Sequence, residues 1–148
     1  MSVYWTPYVT PVIDTALYTT GDALGAVTSF PNVPEHGTIM GFSLIDLDSE
    51  SANYTVIKLF LFKAEIAGVA NNAAFDPTDA ELSECLGVIS LTVSTDAHVL
   101  VDNTILEAAN IGLPYWAQSG RLYFQLQVIG GPTFTAVTDI KVAIGIVY

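Results

Sequence analysis

Positive charge is scarce in this chain. Lys58, Lys63, Arg121 and Lys141 are its only strong cations, set against 15 acidic residues for a net charge of −11. Nucleic-acid binding depends on neutralising phosphates with Lys and Arg. Four scattered cations cannot build such a patch, so nucleic acid is excluded as a partner. Cysteine is almost missing as well. Cys85 stands alone, which rules out an intrachain disulfide, and its place just before an apolar run marks it as a buried thiol. His36 and His98 are the only histidines, and neither lies near a nucleophile motif such as G-x-S-x-G. Zinc-ligand spacings and phosphate-cradling glycine loops are also absent. The expectation is a non-enzymatic protein with no catalytic residue, no cofactor and no metal.

Long apolar runs are missing too. A membrane helix needs about 18 unbroken apolar residues, and the longest candidate here, 56–62, is interrupted by Lys58 and followed by Lys63. The opening Met1-Ser2-Val3-Tyr4-Trp5 has neither the basic nor the apolar region of a signal peptide. A soluble chain made in a cytoplasm, with no membrane partner, is the expectation.

What the chain does hold is apolar surface. Hydrophobic residues make up 51% of its 148 residues and charged ones only 13%, about half the usual share. That composition argues against disorder. It also implies a low-charge exterior, poor insulation for a free monomer and natural for an assembly subunit.

Period-two alternation dominates. Leu122, Phe124, Leu126 and Val128 alternate with Arg121, Tyr123, Gln125 and Gln127. Ile140, Val142, Ile144, Ile146 and Tyr148 alternate with Asp139, Lys141, Ala143 and Gly145. Gly87, Ile89, Leu91 and Val93 alternate with Val88, Ser90 and Thr92. Each pattern predicts a strand with one buried face. Segments 38–47 and 54–62 are apolar on both faces, and the polar stretch 48–53 between them reads as a hairpin loop. Further strands are expected over 12–19, 23–30, 98–101, 105–109 and 133–137, with Gly130-Gly131-Pro132 as another hairpin turn. One short helix is expected near 77–84, capped by Asp76 with Pro77 at its first position. Eight to ten short antiparallel strands predict an all-β fold, a β-sandwich or jelly roll.

Residues 1–11 stand apart from the sandwich of 12–148. Tyr4, Trp5, Pro7, Tyr8 and Pro11 make this segment an extended, aromatic arm unsuited to a central strand. It packs on its own domain or reaches across a neighbouring subunit, where Trp and Tyr serve as anchors. Tyr115 and Trp116 form a second aromatic pair, either a buried loop plug or a sugar-stacking platform. The candidate interface residues are therefore Tyr4, Trp5, Tyr8, Tyr115 and Trp116. Asp46-x-Asp48-x-Glu50 spaces carboxylates as a calcium loop does, yet lacks the glycine and distal glutamate of that pattern, so a solvated turn is the simpler expectation. Asn71, Asn72, Asp76 and Asp79 form an equally weak polar cluster.

Several short motifs appear in an order that resembles a group of small bacteriophage proteins encoded near the major capsid gene. They are Gly21-Asp22-Ala23-Leu24-Gly25, a Gly-initiated strand from Gly37 to the acidic turn at Asp48, and Leu59-Phe60-Leu61-Phe62. Asn72 to Asp76, Thr78 to Leu82, Leu86 to Ser90 and Leu122-Tyr123 follow. The resemblance implies a jelly-roll decoration (cement) protein, commonly a homotrimer, which binds the assembled major capsid protein lattice on the virion surface after synthesis in the host cytoplasm. In such a trimer, sister subunits would cover the outward residues Ala143, Gly145 and Val147. The competing expectation is the receptor- or carbohydrate-binding head of a phage tail fibre or tip, which shares this fold.

Overall fold

The computed structural model describes residues 1–117 and 119–148. Nine strands lie among them: β1 (Val3–Trp5), β2 (Ala23–Phe30), β3 (His36–Asp46), β4 (Tyr54–Phe62), β5 (Cys85–Thr92), β6 (Ala97–Val99), β7 (Thr104–Trp116), β8 (Leu122–Gly130) and β9 (Ile140–Val147). Two short helices, α1 (Asp79–Leu82) and α2 (Val93–Asp96), and a 3-10 turn at Glu50–Ala52 complete the regular structure.

The strands form two antiparallel sheets, one ordered β1-β9-β3-β7-β6 and the other β2-β8-β4-β5. β1 pairs with β9, β2 with β8, β3 with β7 and β4 with β5. Outermost strands pair with outermost and innermost with innermost, as if one long hairpin were rolled up. That is the winding of a jelly roll, with β6 added at one edge.

Alternation places one face of each sheet in the core. Phe30, Ile39, Phe42, Leu44, Ile57, Leu59, Leu122, Phe124, Leu126, Val142, Ile144 and Ile146 are all fully buried. Phe30 and Phe124 stack with ring centroids 4.5 Å apart. Gln125 points the other way and is also buried. Its amide donates to Gly25 O (3.0 Å) and Val69 O (2.6 Å) and accepts from Val69 N–H (3.0 Å), pinning the loop 63–75 onto the outer face of the four-stranded sheet.

Several expectations fail for identifiable reasons. The stretches 48–53 and 130–132 are not hairpins, because the strands they join lie in opposite sheets. Gly130 adopts φ +135°, and a Cβ there would sit 2.4 Å from Tyr54 Cα. Only glycine fits that crossing. Residues 12–19 form no strand. Ile13 and Tyr18 instead plug the core end-on, and their N–H groups donate to Val137 O and Pro132 O. Residues 133–137 form none either, because carboxylates take the N–H groups that a ladder would use. Thr133 donates to Glu50, Thr135 to Asp48 and Ala136 to Asp139. The helix starts later than expected. Thr78, not Asp76, caps α1 through a capping box with Glu81. The second helix, α2, ends the alternation of β5 at Val93. Cys85 is half-buried rather than buried, with Sγ 3.6 Å from Gly87 O.

A candidate interaction surface on the five-stranded sheet

The two sheets differ in what covers their outer faces. Loop 63–75 and Phe75, whose ring lies 4.6 Å from that of Phe60, shield the four-stranded sheet. Among the described residues, the five-stranded sheet is shielded only by the N-terminal segment. Ser2 and Tyr148 exchange backbone hydrogen bonds (2.9 and 3.0 Å), Thr6 N–H donates to Ile144 O, and Val9 and Val142 exchange a second pair (2.8 and 2.9 Å). Prolines 7 and 11 are tolerated because this is a sheet edge.

Register then decides which aromatics face outward. Tyr4 turns inward against the core, and Trp5 turns outward. The Trp5 ring lies flat on the two glycines of its row, Gly145 of β9 and Gly41 of β3. Cβ atoms built there would lie 2.7 Å and 2.8 Å from the ring. Glycine inside a strand marks a close approach, and here the approach is an indole. Ala143, one step along, is buried, and Tyr8 Oη hydrogen-bonds Ser43 Oγ at 2.9 Å. Ala143 and Gly145, expected under sister subunits, are thus covered by the chain's own arm.

Beyond Trp5 the outer face stays apolar. Val3, Trp5, Met40, Ala109, Asn110 and Val147 line a shallow groove of about 290 Å³. The groove follows from an irregularity in pairing. Between Ile39↔Leu113 and Gly41↔Ala109, β7 spends three residues where β3 spends one, and Asn110 and Gly112 take positive φ to fit. Pro114 and Trp116 extend the face, with Trp116 directly across from His36. Val3 is 71%, Trp5 53% and Trp116 58% exposed. Among the described residues, Glu107 brings a carboxylate to the groove's own wall, one row from Gly41 and Ala109, and Lys141 brings an ammonium lower down. Glu107 lies 3.9 Å from His98 Nε2, and Lys141 Nζ donates to Thr10 Oγ1 at 3.1 Å.

The five aromatic candidates therefore divide. Trp5, Tyr8 and Trp116 share the outer face. Tyr4 and Tyr115 lie on the core side, where Tyr115 is buried and donates to Pro34 O at 3.1 Å. Burial, with Tyr148 and Tyr4 nearby, pushes the Tyr115 hydroxyl up to about 12. Tyr115 and Trp116 point to opposite faces of β7, so they cannot stack a sugar together. Val3, Met40 and Pro114 escaped notice in the sequence, and Val147, expected outward under a sister subunit, lines the groove with Val3 and Met40. The glycines at Gly41 and Gly145 inside apolar strands were the signal that could have exposed them.

The acidic loop is committed to structure. Asp46 is fully buried and accepts from Asp48 N–H (3.0 Å), Glu50 N–H (2.9 Å) and Tyr54 O–H (2.8 Å). Burial raises its carboxyl above the ordinary range, opposed by those three donors. Asp48 and Glu50 hold the 133–135 backbone. Asn71 accepts from Tyr18 O–H and Gly25 N–H, and Asn72 donates to Asp14 and Leu17 O. Asp46, Asp48, Glu50, Asn71 and Asn72 are thereby spent on their neighbours. Among the described residues, no three His, Cys, Asp or Glu side chains gather as metal ligands, and no helix is long and apolar enough to cross a membrane.

No family model matches the chain, and no curated protein matches it. Among solved structures, it is similar to a chain of the full particle of Israeli acute paralysis virus, at 7% identity and a TM-score of 0.34, covering 98% of this chain and 68% of that one. It is also similar to a chain of Triatoma virus, at 8% identity and a TM-score of 0.31, covering 99% of this chain and 63% of the other. The jelly-roll assignment rests on the strand pairing described above.

Proposed function

We propose that the protein is a non-enzymatic virion structural protein, a bacteriophage capsid decoration (cement) subunit that seats on the assembled major capsid protein. The observation carrying this reading is the outer face of β1-β9-β3-β7. On a molecule of net charge −11, that face gathers Val3, Trp5, Met40, Ala109, Val147, Pro114 and Trp116, with Glu107, among the described residues, as the one carboxylate lining the groove. Such a surface costs solubility unless something covers it. Trp5, Tyr8 and Trp116 form the contact, and Tyr4 and Tyr115 brace the sheet behind them. The resemblance of the short motifs to those of phage decoration proteins suggests the partner.

The mechanism is mass action. A subunit that binds the assembled lattice but not its dissociated parts stabilises the lattice at every site it fills. Rolled strands hold the contact face rigid, so little ordering cost is incurred on binding. The acidic remainder repels packaged nucleic acid and limits non-specific adhesion. A homotrimer is the subunit state that the resemblance implies. With Ala143 and Gly145 covered by the arm and Val147 lining the capsid-facing groove, its ring contacts would fall to the exposed rim.

Purified protein is mixed with capsids lacking it and sedimented. Saturable co-sedimentation, lost on Val3→Glu with Trp116→Glu, is expected. Absence of binding, together with specific hits on a glycan array, would replace this reading with the fibre-head alternative.

A further inference from the structure

A jelly roll has four sheet edges, and an open edge is a template for another strand. Three of the four are blunted here. β1 and β6 are three residues each. β2 is sealed at its start, where Ala23 N–H donates to Ala73 O and Asn72 N–H to Ala23 O, and it bulges between Leu24 and Thr28. The fourth edge, β5, is eight residues long, and its pairing with β4 runs without a break from Thr92 to Gly87. From Leu86 to Thr95 it holds no charged residue and no proline. Its one register shift lies at the far end, between Gly87 and Cys85, so none of the usual protections falls between Gly87 and Thr92.

The direction of its free groups follows from Thr92. That N–H turns away from β4 to donate to Asp96 Oδ2 at 2.7 Å. Backbone direction alternates along a strand, so the N–H and C=O groups of Ser90 and Val88 also point outward. Both residues are exposed, whereas Ile89 and Leu91 between them are buried. Asp96 stops the open stretch at Thr92, and Glu84, beside Lys63 Nζ at 3.9 Å, stands at its other end.

We infer that β5 is a self-pairing edge, joining a second copy of this chain antiparallel about a two-fold axis at Ile89. Val88 then exchanges hydrogen bonds with the second copy's Ser90, and Ser90 with its Val88, and the two four-stranded sheets become one of eight strands. The occupant follows from charge. At −11, two copies repel wherever acids face each other, and this uncharged edge lets them meet without opposing carboxylates. Its cross-strand neighbours on β4 are Phe60 and Lys58, not acids. The two-fold pairing is isologous and closes at two subunits.

Sedimentation equilibrium at about 100 µM is expected to give an even number of 15.8 kDa chains, two for the pair alone or six where it joins two of the proposed trimers, and the amides of Val88 and Ser90 should exchange slowly in the paired state and rapidly on dilution. The Val88→Lys, Ser90→Lys variant places lysine opposite lysine at two symmetric pairs and should weaken dimerisation about tenfold or more. Both side chains are exposed, so its circular dichroism should match that of the parent diluted to the unpaired state. A monomeric parent, a trimer with fast-exchanging Val88 and Ser90 amides, or a double-lysine variant that dimerises undiminished would each overturn the inference. None of these readouts involves capsids, so failure here is distinct from failure of the decoration role.

Discussion

Replacing Trp5 with alanine tests whether the N-terminal segment belongs to the sandwich. Fully burying a Trp removes up to about 250 Å² from water, and Trp5 keeps 53% of its surface exposed. About 120 Å² is therefore at stake, worth about 3 kcal/mol at ~25 cal/mol per Å². Residual burial in the unfolded chain lowers that to about 2 kcal/mol, a fall in Tm of about 4–8 °C for a chain of this size. The glycines beneath supply a second, sharper arm. Gly145→Ala puts a methyl 2.7 Å from the ring, forcing the indole up. With Trp5 already removed, the same alanine meets no ring and should cost little. Urea unfolding of the parent, both single variants and the double variant should give a coupling of about 1–2 kcal/mol. An additive cycle, with Trp5→Ala within about 0.5 kcal/mol of the parent, would refute the packing of the arm on this sheet.

Three further outcomes follow from buried polar groups. Tyr18 and Tyr115 are pushed up to about 12 and Tyr54 further; unfolded tyrosine loses its proton near 10, so stability present below pH 10 should fall as pH rises toward 12, and ultraviolet titration showing all seven tyrosines ionising near 10 in folded protein would contradict this. Asp46 is raised above its ordinary 3.8, so its own contribution to stability should fall as pH climbs from 3.8 through its folded value. The unfolding free-energy difference between the parent and Asp46→Asn should shrink over that interval, and a widening difference would be the wrong sign. Gln125→Leu strands Val69 N–H, Val69 O and Gly25 O without their partner, which should cost about 3 kcal/mol and speed amide exchange at Val69; parent-like stability would show that the loop is held by other contacts.

The strands with strict alternation were the most legible part of the chain. Leu122 to Val128 and Ile140 to Ile146 read directly as buried stripes because one face of each meets the opposing sheet. Residues 54–62 coincide with β4, and 23–30 with β2. Pairing was not legible. The polar stretches 48–53 and 130–132 have the composition of hairpin turns, and only long-range pairing of β3 with β7 and β9 reveals them as crossings. Segments 12–19 and 133–137 carry strand-forming residues, yet tertiary hydrogen bonds from Asn71, Asp48, Glu50 and Asp139 claimed their backbone. At the candidate surface, composition flagged Trp5, Tyr8 and Trp116. The groove beside them arises from the extra residues in β7, which a single sequence does not display. Tyr115 was grouped with Trp116 by adjacency, and alternation sent them to opposite faces.

The most direct test of the decoration role is the structure, by electron cryo-microscopy, of capsids saturated with this protein. Capsid protein density against Val3, Trp5, Val147 and Trp116 at every equivalent lattice position is the predicted result. A bound subunit whose five-stranded sheet faces solvent, or capsids that bind none, would contradict the account.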